Sequence, residues 1–287
     1  MSLDLRVKAM LDQMAAMAMP KLWEIGPQAA RTAMRSSIFR GGDEPIGKTE
    51  DRKIKGPAGE IPIRVYTPVD VTGDALPCLV FFHGGGFVIG DLETHDDMCR
   101  CFANGAGCRV VAVDYRLAPE HPFPAAVDDC WAATQYIAAH AKEFGIDASR
   151  LAVGGDSAGG NLSAVVAQLA KQAGAPSIKF QLLIYPVTQL GSSKETVSMR
   201  ENAKGYFLEK DGMGWFTRCY APDSKHHADP RLSPLLCKDL AGQPPLPLLR
   251  GGEDRHGRHL KLLLFVLHRE HERVDHGQLF HDDLTSP

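Results

Sequence analysis

The residues with the clearest chemical potential are Gly155, Ser157 and Gly159, which spell G-x-S-x-G. They follow a short apolar run, Leu151-Ala152-Val153, that suits a buried strand. The chain then turns through Gly154–Gly160 and continues into Asn161–Gly174, whose spacing is helical. A serine on so tight a strand-to-helix turn is held in a strained backbone conformation. Side chains two residues to either side would collide there, so glycine occupies both places. The same turn puts Ser157 near a helix N-terminus, where backbone N–H groups and the positive dipole end can stabilise an oxyanion. The chemistry expected is nucleophilic attack by the hydroxyl. A glycine-rich connection with an incidental serine is the plainer alternative, and G-x-S-x-G alone does not exclude it.

A second stretch weighs against the incidental reading. Leu76–Phe82 is a continuous apolar run, the pattern of a strand covered on both faces, and it leads directly into His83-Gly84-Gly85-Gly86-Phe87. Three glycines after a buried strand leave backbone N–H groups unshielded. In hydrolases such a loop faces the serine turn and supplies oxyanion donors.

The elements that must position these loops alternate. Ile61–Tyr66 has period two, after a turn at Gly56–Gly59. Arg109–Val113 reads as a buried strand, Ala125–Phe144 as a helix, and Ile178–Tyr185 as a further strand stopped by Pro186. Strands alternating with helices predict an α/β fold, a mostly parallel central sheet with helices on both faces. Residues 1–45 read as a separate helical segment with Met10, Leu11, Met14 and Met17 on one face. Residues 188–223 break the rhythm with Tyr206, Phe207, Met213, Trp215, Phe216 and Tyr220. These two segments are expected to form a helical cap over a catalytic domain spanning 46–287.

Composition narrows the classes. A chain of 287 residues, 44% hydrophobic and 23% charged, buries one substantial core. A formal net charge of −3 gives no reason to expect a nucleic-acid partner. No apolar run reaches membrane-spanning length, and no signal peptide is expected. Seven cysteines without a framework spacing read as free thiols in a reducing cytoplasm. His256-x-x-His259 and His268-x-x-His271 have a spacing compatible with metal, but solvated helix faces explain it better, and neither metal nor organic cofactor is expected.

Taken together, His83–Asp96 (HGGGFVIGDLETHD), Asp114–Ala125 (DYRLAPEHPFPA) and Gly154–Asn161 (GGDSAGGN) resemble the hormone-sensitive-lipase-like esterases, the bacterial branch of the α/β-hydrolases. The resemblance runs from near the N-terminus to about Pro245. It implies Ser157 as nucleophile, with the N–H groups of Gly84, Gly85 and Ala158 as the oxyanion hole. Residues 115–125 would brace the loops beneath the site. It also implies hydrolysis of carboxylic esters with short to medium acyl chains, so the expected partner is a small-molecule ester; a homodimer stays open.

The tail departs from that pattern. In α/β-hydrolases the acid and the histidine follow the serine in that order. Here the strand expected after Pro245 is short and interrupted by Pro247, and 246–287 is atypical. Asp254 falls where the acid belongs, and Asp275-His276-Gly277 echoes a His-Gly-Phe loop, so Asp254 and His276 are the choices for acid and base. Glu253 is a poorer acid, and His256 and His281 are poorer bases. Half of the twelve histidines lie in this segment, as a reading-frame change near Pro245 would produce; a divergent C-terminus is the competing account. A catalytically silent, ligand-binding member of the fold, like the plant gibberellin receptors, is the alternative to an esterase.

Overall fold

The computed structural model describes residues 5–17, 20–36, 44–71, 73, 75–191, 196–246 and 248–249. Seven strands form one sheet: β1 (Lys48–Gly56), β2 (Gly59–Thr67), β3 (Leu76–Phe82), β4 (Arg109–Val113), β5 (Ile146–Asp156), β6 (Ile178–Ile184) and β7 (Leu248–Leu249). Their order across the sheet is β1-β2-β4-β3-β5-β6-β7. The first two strands are antiparallel, β2 also meets β4 antiparallel, and every remaining pairing is parallel. The expected mostly parallel α/β sheet is therefore the fold that forms.

Alternation decides which residues face which layer. Val80, Phe82, Val111, Val113, Leu151 and Val153 face helices α5 (Ala125–Ala139) and α6 (Ala158–Ala173). Their neighbours Leu79, Phe81, Val110, Ala112 and Ala152 face α4 (Asp96–Ala106). β3 is buried along its whole length, which is why it reads as an unbroken apolar run.

Four helices lie outside the βα rhythm: α1 (Leu5–Ala16), α2 (Leu22–Ile25), α3 (Pro27–Arg35) and α8 (Lys210–Tyr220), with the short α7 (Val197–Glu201) before the last. The N-terminal and inserted segments meet. Trp23 fills the space that a side chain on Gly212 would need, and Lys21 pairs with Glu209 at 2.9 Å. α3 is fastened to the sheet domain by Arg31, which donates to Val88 O and Ala118 O at 2.8 and 2.9 Å and pairs with Glu120.

Some boundaries differ from the sequence reading. β5 begins at Ile146 rather than Leu151, because Leu76 pairs with Ile146 before the register shifts to Cys78–Leu151. α5 stops at Ala139, after which the chain turns back through Gly145 at φ 59°. The sequence shifts to β character only at Ile54, yet β1 starts at Lys48 although its sequence, KTEDRKIKG, is charged: only Ile54 is buried, and the strand is held by its unbroken pairing with β2. α4 was not foreseen, and its last buried residues are Ala103 and Ala106, too small to mark a stripe.

Candidate active site

Ser157 stands between β5 and α6 at φ 52°, ψ −112°, a conformation L-residues rarely adopt. It is held from three sides. Its N–H donates to Ile184 O at 2.9 Å, and its carbonyl accepts from Asn161 N–H and Val187 N–H at 3.1 and 3.2 Å. The flanking glycines are explained by distance. A Cβ on Gly155 would come within 2.2 Å of Phe82 O, and one on Gly159 within 1.8 Å of the same oxygen. Asn161, fully buried, donates to Val187 O at 2.6 Å and Leu232 O at 3.0 Å, so the first turn of α6 is locked to two loops.

The loop after β3 lies beside this turn because β3 and β5 are neighbours, with Phe82 opposite Gly155. Its first glycine, expected to lend its N–H to an oxyanion hole, is tied down. The Gly84 N–H is buried and donates to Asp156 Oδ1 at 2.8 Å, which anchors the loop. Gly85 and Gly86 are part-exposed, at φ 111° and 60°, and among the described residues nothing accepts their N–H groups or that of Ala158. A side chain on Gly85 would strike Ile89 O at 2.1 Å, and one on Gly86 would strike the Phe216 ring of α8 at 2.3 Å. Gly86 was not singled out from the sequence; only the engagement of Gly84 with Asp156 distinguishes the two.

The surroundings hold the loop by its polar groups. His83 Nδ1 lies 2.7 Å from Gly84 O, which as a carbonyl can only accept, so Nδ1 carries the proton. Burial, then the neighbouring His95, push the His83 pKa down to about 4, so the ring is neutral near pH 7. Tyr115 stacks on it at 4.3 Å between centroids and donates to His83 O at 2.7 Å. Ala118 N–H donates to Phe87 O at 2.9 Å, and Arg116 grips the buried Asp129 at 2.8 Å with two of its nitrogens. Residues 115–118 thus touch the loop directly.

A cavity of about 420 Å³ lies between α3 and the ends of the loops, with Gln28, Arg35, Asp91, Asp114 and Tyr115 on its wall. Burial and the nearby Asp91 raise the Asp114 carboxyl to about 6. Ser157 is not on this wall. Asp254 and His276, and with them Glu253, His256 and His281, fall outside the described residues. Among the described residues no group of three or more metal-ligating side chains occurs, and no helix is long and apolar enough to cross a membrane.

A strained serine between a parallel strand and a helix, with a glycine loop on the adjoining strand, is the architecture of an α/β-hydrolase. A family model described as "alpha/beta hydrolase fold" matches residues 79–261, a match that continues past Pro245. The chain is 45% identical over 231 residues to Esterase LipI of Mycobacterium tuberculosis, covering 80% of this chain and 71% of that protein. It is 49% identical over 189 residues to the carboxylesterase NlhH of the same species, covering 65% of this chain and 58% of the relative. Among solved structures, the hyperthermophilic esterase of Pyrobaculum calidifontis superposes with a TM-score of 0.81 at 41% identity, over 86% of this chain and 79% of that one. The chain belongs to the α/β-hydrolase family, in its hormone-sensitive-lipase-like esterase branch.

Proposed function

We propose that the protein is a carboxylesterase acting on small-molecule esters of short to medium acyl chain through an acyl-enzyme. The observation that carries the reading is the pairing of a strained, part-exposed Ser157 with the unengaged N–H groups of Gly85, Gly86 and Ala158 on adjoining elements. Ser157 Oγ attacks the ester carbonyl, its proton passing to a histidine. The carbonyl oxygen becomes an alkoxide held by the three N–H groups, at the N-terminus of α6 where the helix dipole favours negative charge. Collapse expels the alcohol, which takes the proton from the histidine. Water, activated by the same histidine, then releases the acid. His276 as base and Asp254 as its orienting acid remain the assignments within this proposal, in the Ser, Asp, His order of the family.

The kinship with named esterases supports the bond type. The contacts of α2 with α8, and of Phe216 with Gly86, support a cap made of the N-terminal and inserted helices. Seven unpaired thiols, four of them buried, support a cytoplasmic setting.

The test is hydrolysis of p-nitrophenyl acetate, butyrate and octanoate, with a fluorophosphonate probe read by intact mass. A single adduct and turnover of the shorter esters, both absent in Ser157→Ala, are expected. A folded wild-type protein that neither turns over nor takes the probe refutes the reading.

A further inference from the structure

An unbroken chain of hydrogen bonds runs from the last turn of α3 to the oxyanion loop. Arg35 Nε–H donates to Asp91 Oδ2. Asp91 Oδ1 accepts the N–H of Thr94 at 2.9 Å, and Thr94 Oγ1 accepts the N–H of Asp91 at 2.9 Å, so the two residues close a small ring. The Thr94 hydroxyl lies 2.9 Å from both Asp91 O and His95 Nδ1. Donation to Nδ1 leaves the ring proton on Nε2, the nitrogen that faces the Asp156 carboxylate. Nε2 stands 3.3 Å from Gly84 N and 3.3 Å from Asp156 Oδ1. Asp156 completes the path by accepting the Gly84 N–H at 2.8 Å.

The path ends on the peptide that matters. Gly84 is held at both polar groups, its N–H by Asp156 and its carbonyl by His83. A trans peptide is planar, with C=O and the following N–H pointing opposite ways. Fixing the Gly84 carbonyl therefore aims the Gly85 N–H, one of the oxyanion donors assigned above. No side chain can substitute for this clamp, because a Cβ on Gly84 would meet Asp156 Oδ2 at 2.1 Å. His95 and Asp156 are themselves buried, with no solvent to take over their bonds. Arg35, by contrast, is 60% exposed and enters from an element outside the sheet domain.

We propose that the Arg35–Asp91 contact is a positioning device: docking of α3 is transmitted through Thr94 and His95 to the Gly84–Gly85 peptide, so the oxyanion loop reaches its working geometry only when α3 is seated. This rests on the esterase reading for its catalytic consequence, but not for its structural one. The residues of the path touch no substrate. They act through the loop, so their loss weakens an interaction made in the transition state more than one made with bound ester.

The experiment compares wild type with Arg35→Ala, Arg35→Lys and Thr94→Val. Active sites are counted with the fluorophosphonate, kcat per counted site and KM are measured on p-nitrophenyl butyrate, and amide hydrogen exchange is followed in the 83–90 segment. Arg35→Ala and Thr94→Val are expected to lower kcat per site by about 3- to 10-fold with KM within about twofold, as for a lost transition-state contact. The 83–90 amides are expected to exchange faster, with Arg35→Lys recovering most of both effects. Counting sites removes any fraction that fails to fold. Unchanged exchange and unchanged kcat per site in both variants overturn the proposal, as does a loss confined to KM. A wild type without turnover but with faster exchange in the variants sinks the esterase reading alone and leaves the mechanical link standing.

Discussion

The ring of Phe216 occupies the space that a side chain on Gly86 would need, so helix α8 rests on the glycine loop itself. Gly86→Ala must displace the ring and hold an alanine at φ near 60°. A loss of about 1–3 kcal/mol in urea unfolding is expected, with a larger loss of turnover. Phe216→Ala does the opposite and opens room above the loop. It is expected to shift the ratio of kcat/KM for bulky over small esters by about fivefold or more towards the bulky one, the scale of a gained pocket. An unchanged ratio across an ester series would remove Phe216 from the binding surface.

Gly159→Ala is the harsher glycine change. Its methyl would sit 1.8 Å from Phe82 O, a backbone atom of the central strand that has nowhere to move. A destabilisation of about 3 kcal/mol or more is expected. Urea midpoints of the variant and wild type measure it, and a cost under about 1 kcal/mol would contradict the packing described.

Asp114 gives a pH dependence of definite sign. Its folded carboxyl titrates at about 6, whereas an unfolded aspartate titrates near 4. Between those values the folded chain keeps a proton that the unfolded chain has released. Stability from this group is therefore complete below about pH 4 and is lost as pH rises to about 6. Asp114→Asn removes the charge, and is expected to raise Tm by roughly 2–6 °C at pH 7 and hardly at all at pH 4. Equal shifts at both pH values would show that the carboxyl is not held protonated.

Asp129 is buried and gripped by Arg116, whose backbone N–H also donates to it at 3.0 Å. Asp129→Ala leaves that N–H without an acceptor and the guanidinium with only the long contact to Ala125 O at 3.4 Å. A cost of about 2–4 kcal/mol is expected, and thermal melts read it directly. Because this pair sits at the base of residues 115–118, kcat per intact site should fall much less than stability.

What the sequence disclosed follows from how each element is stabilised. β3, β4 and the serine turn were legible because their constraint is local: continuous burial demands apolar residues, and close backbone approach demands glycine at 155 and 159. β1 was half hidden because its stability comes from pairing with β2, which leaves charged side chains free to face solvent. The different settings of Gly84 and Gly86 were beyond the sequence for a related reason. Three successive glycines look alike until a side chain elsewhere, Asp156, takes the N–H of one of them. Thr94 and His95 lie in a stretch that carries the family resemblance, but the sequence gave no hint of their contacts, which exist only across the folded loop.

One oxygen serves as a spacer between two loops. Phe82 O is the atom nearest to where Cβ would stand on both Gly155 and Gly159, and Phe82 is also the last residue before the glycine loop. The gap between the serine turn and the glycine loop is therefore fixed by one rung of parallel sheet, roughly 4.8 Å wide. Anyone recombining this protein with its relatives must keep the helices above the site with the loop residues that Arg35 and Phe216 touch. A crossover between β3 and β5 is different: it joins two halves of one measuring scale, and even a one-residue offset there would part Ser157 from the glycine loop it faces.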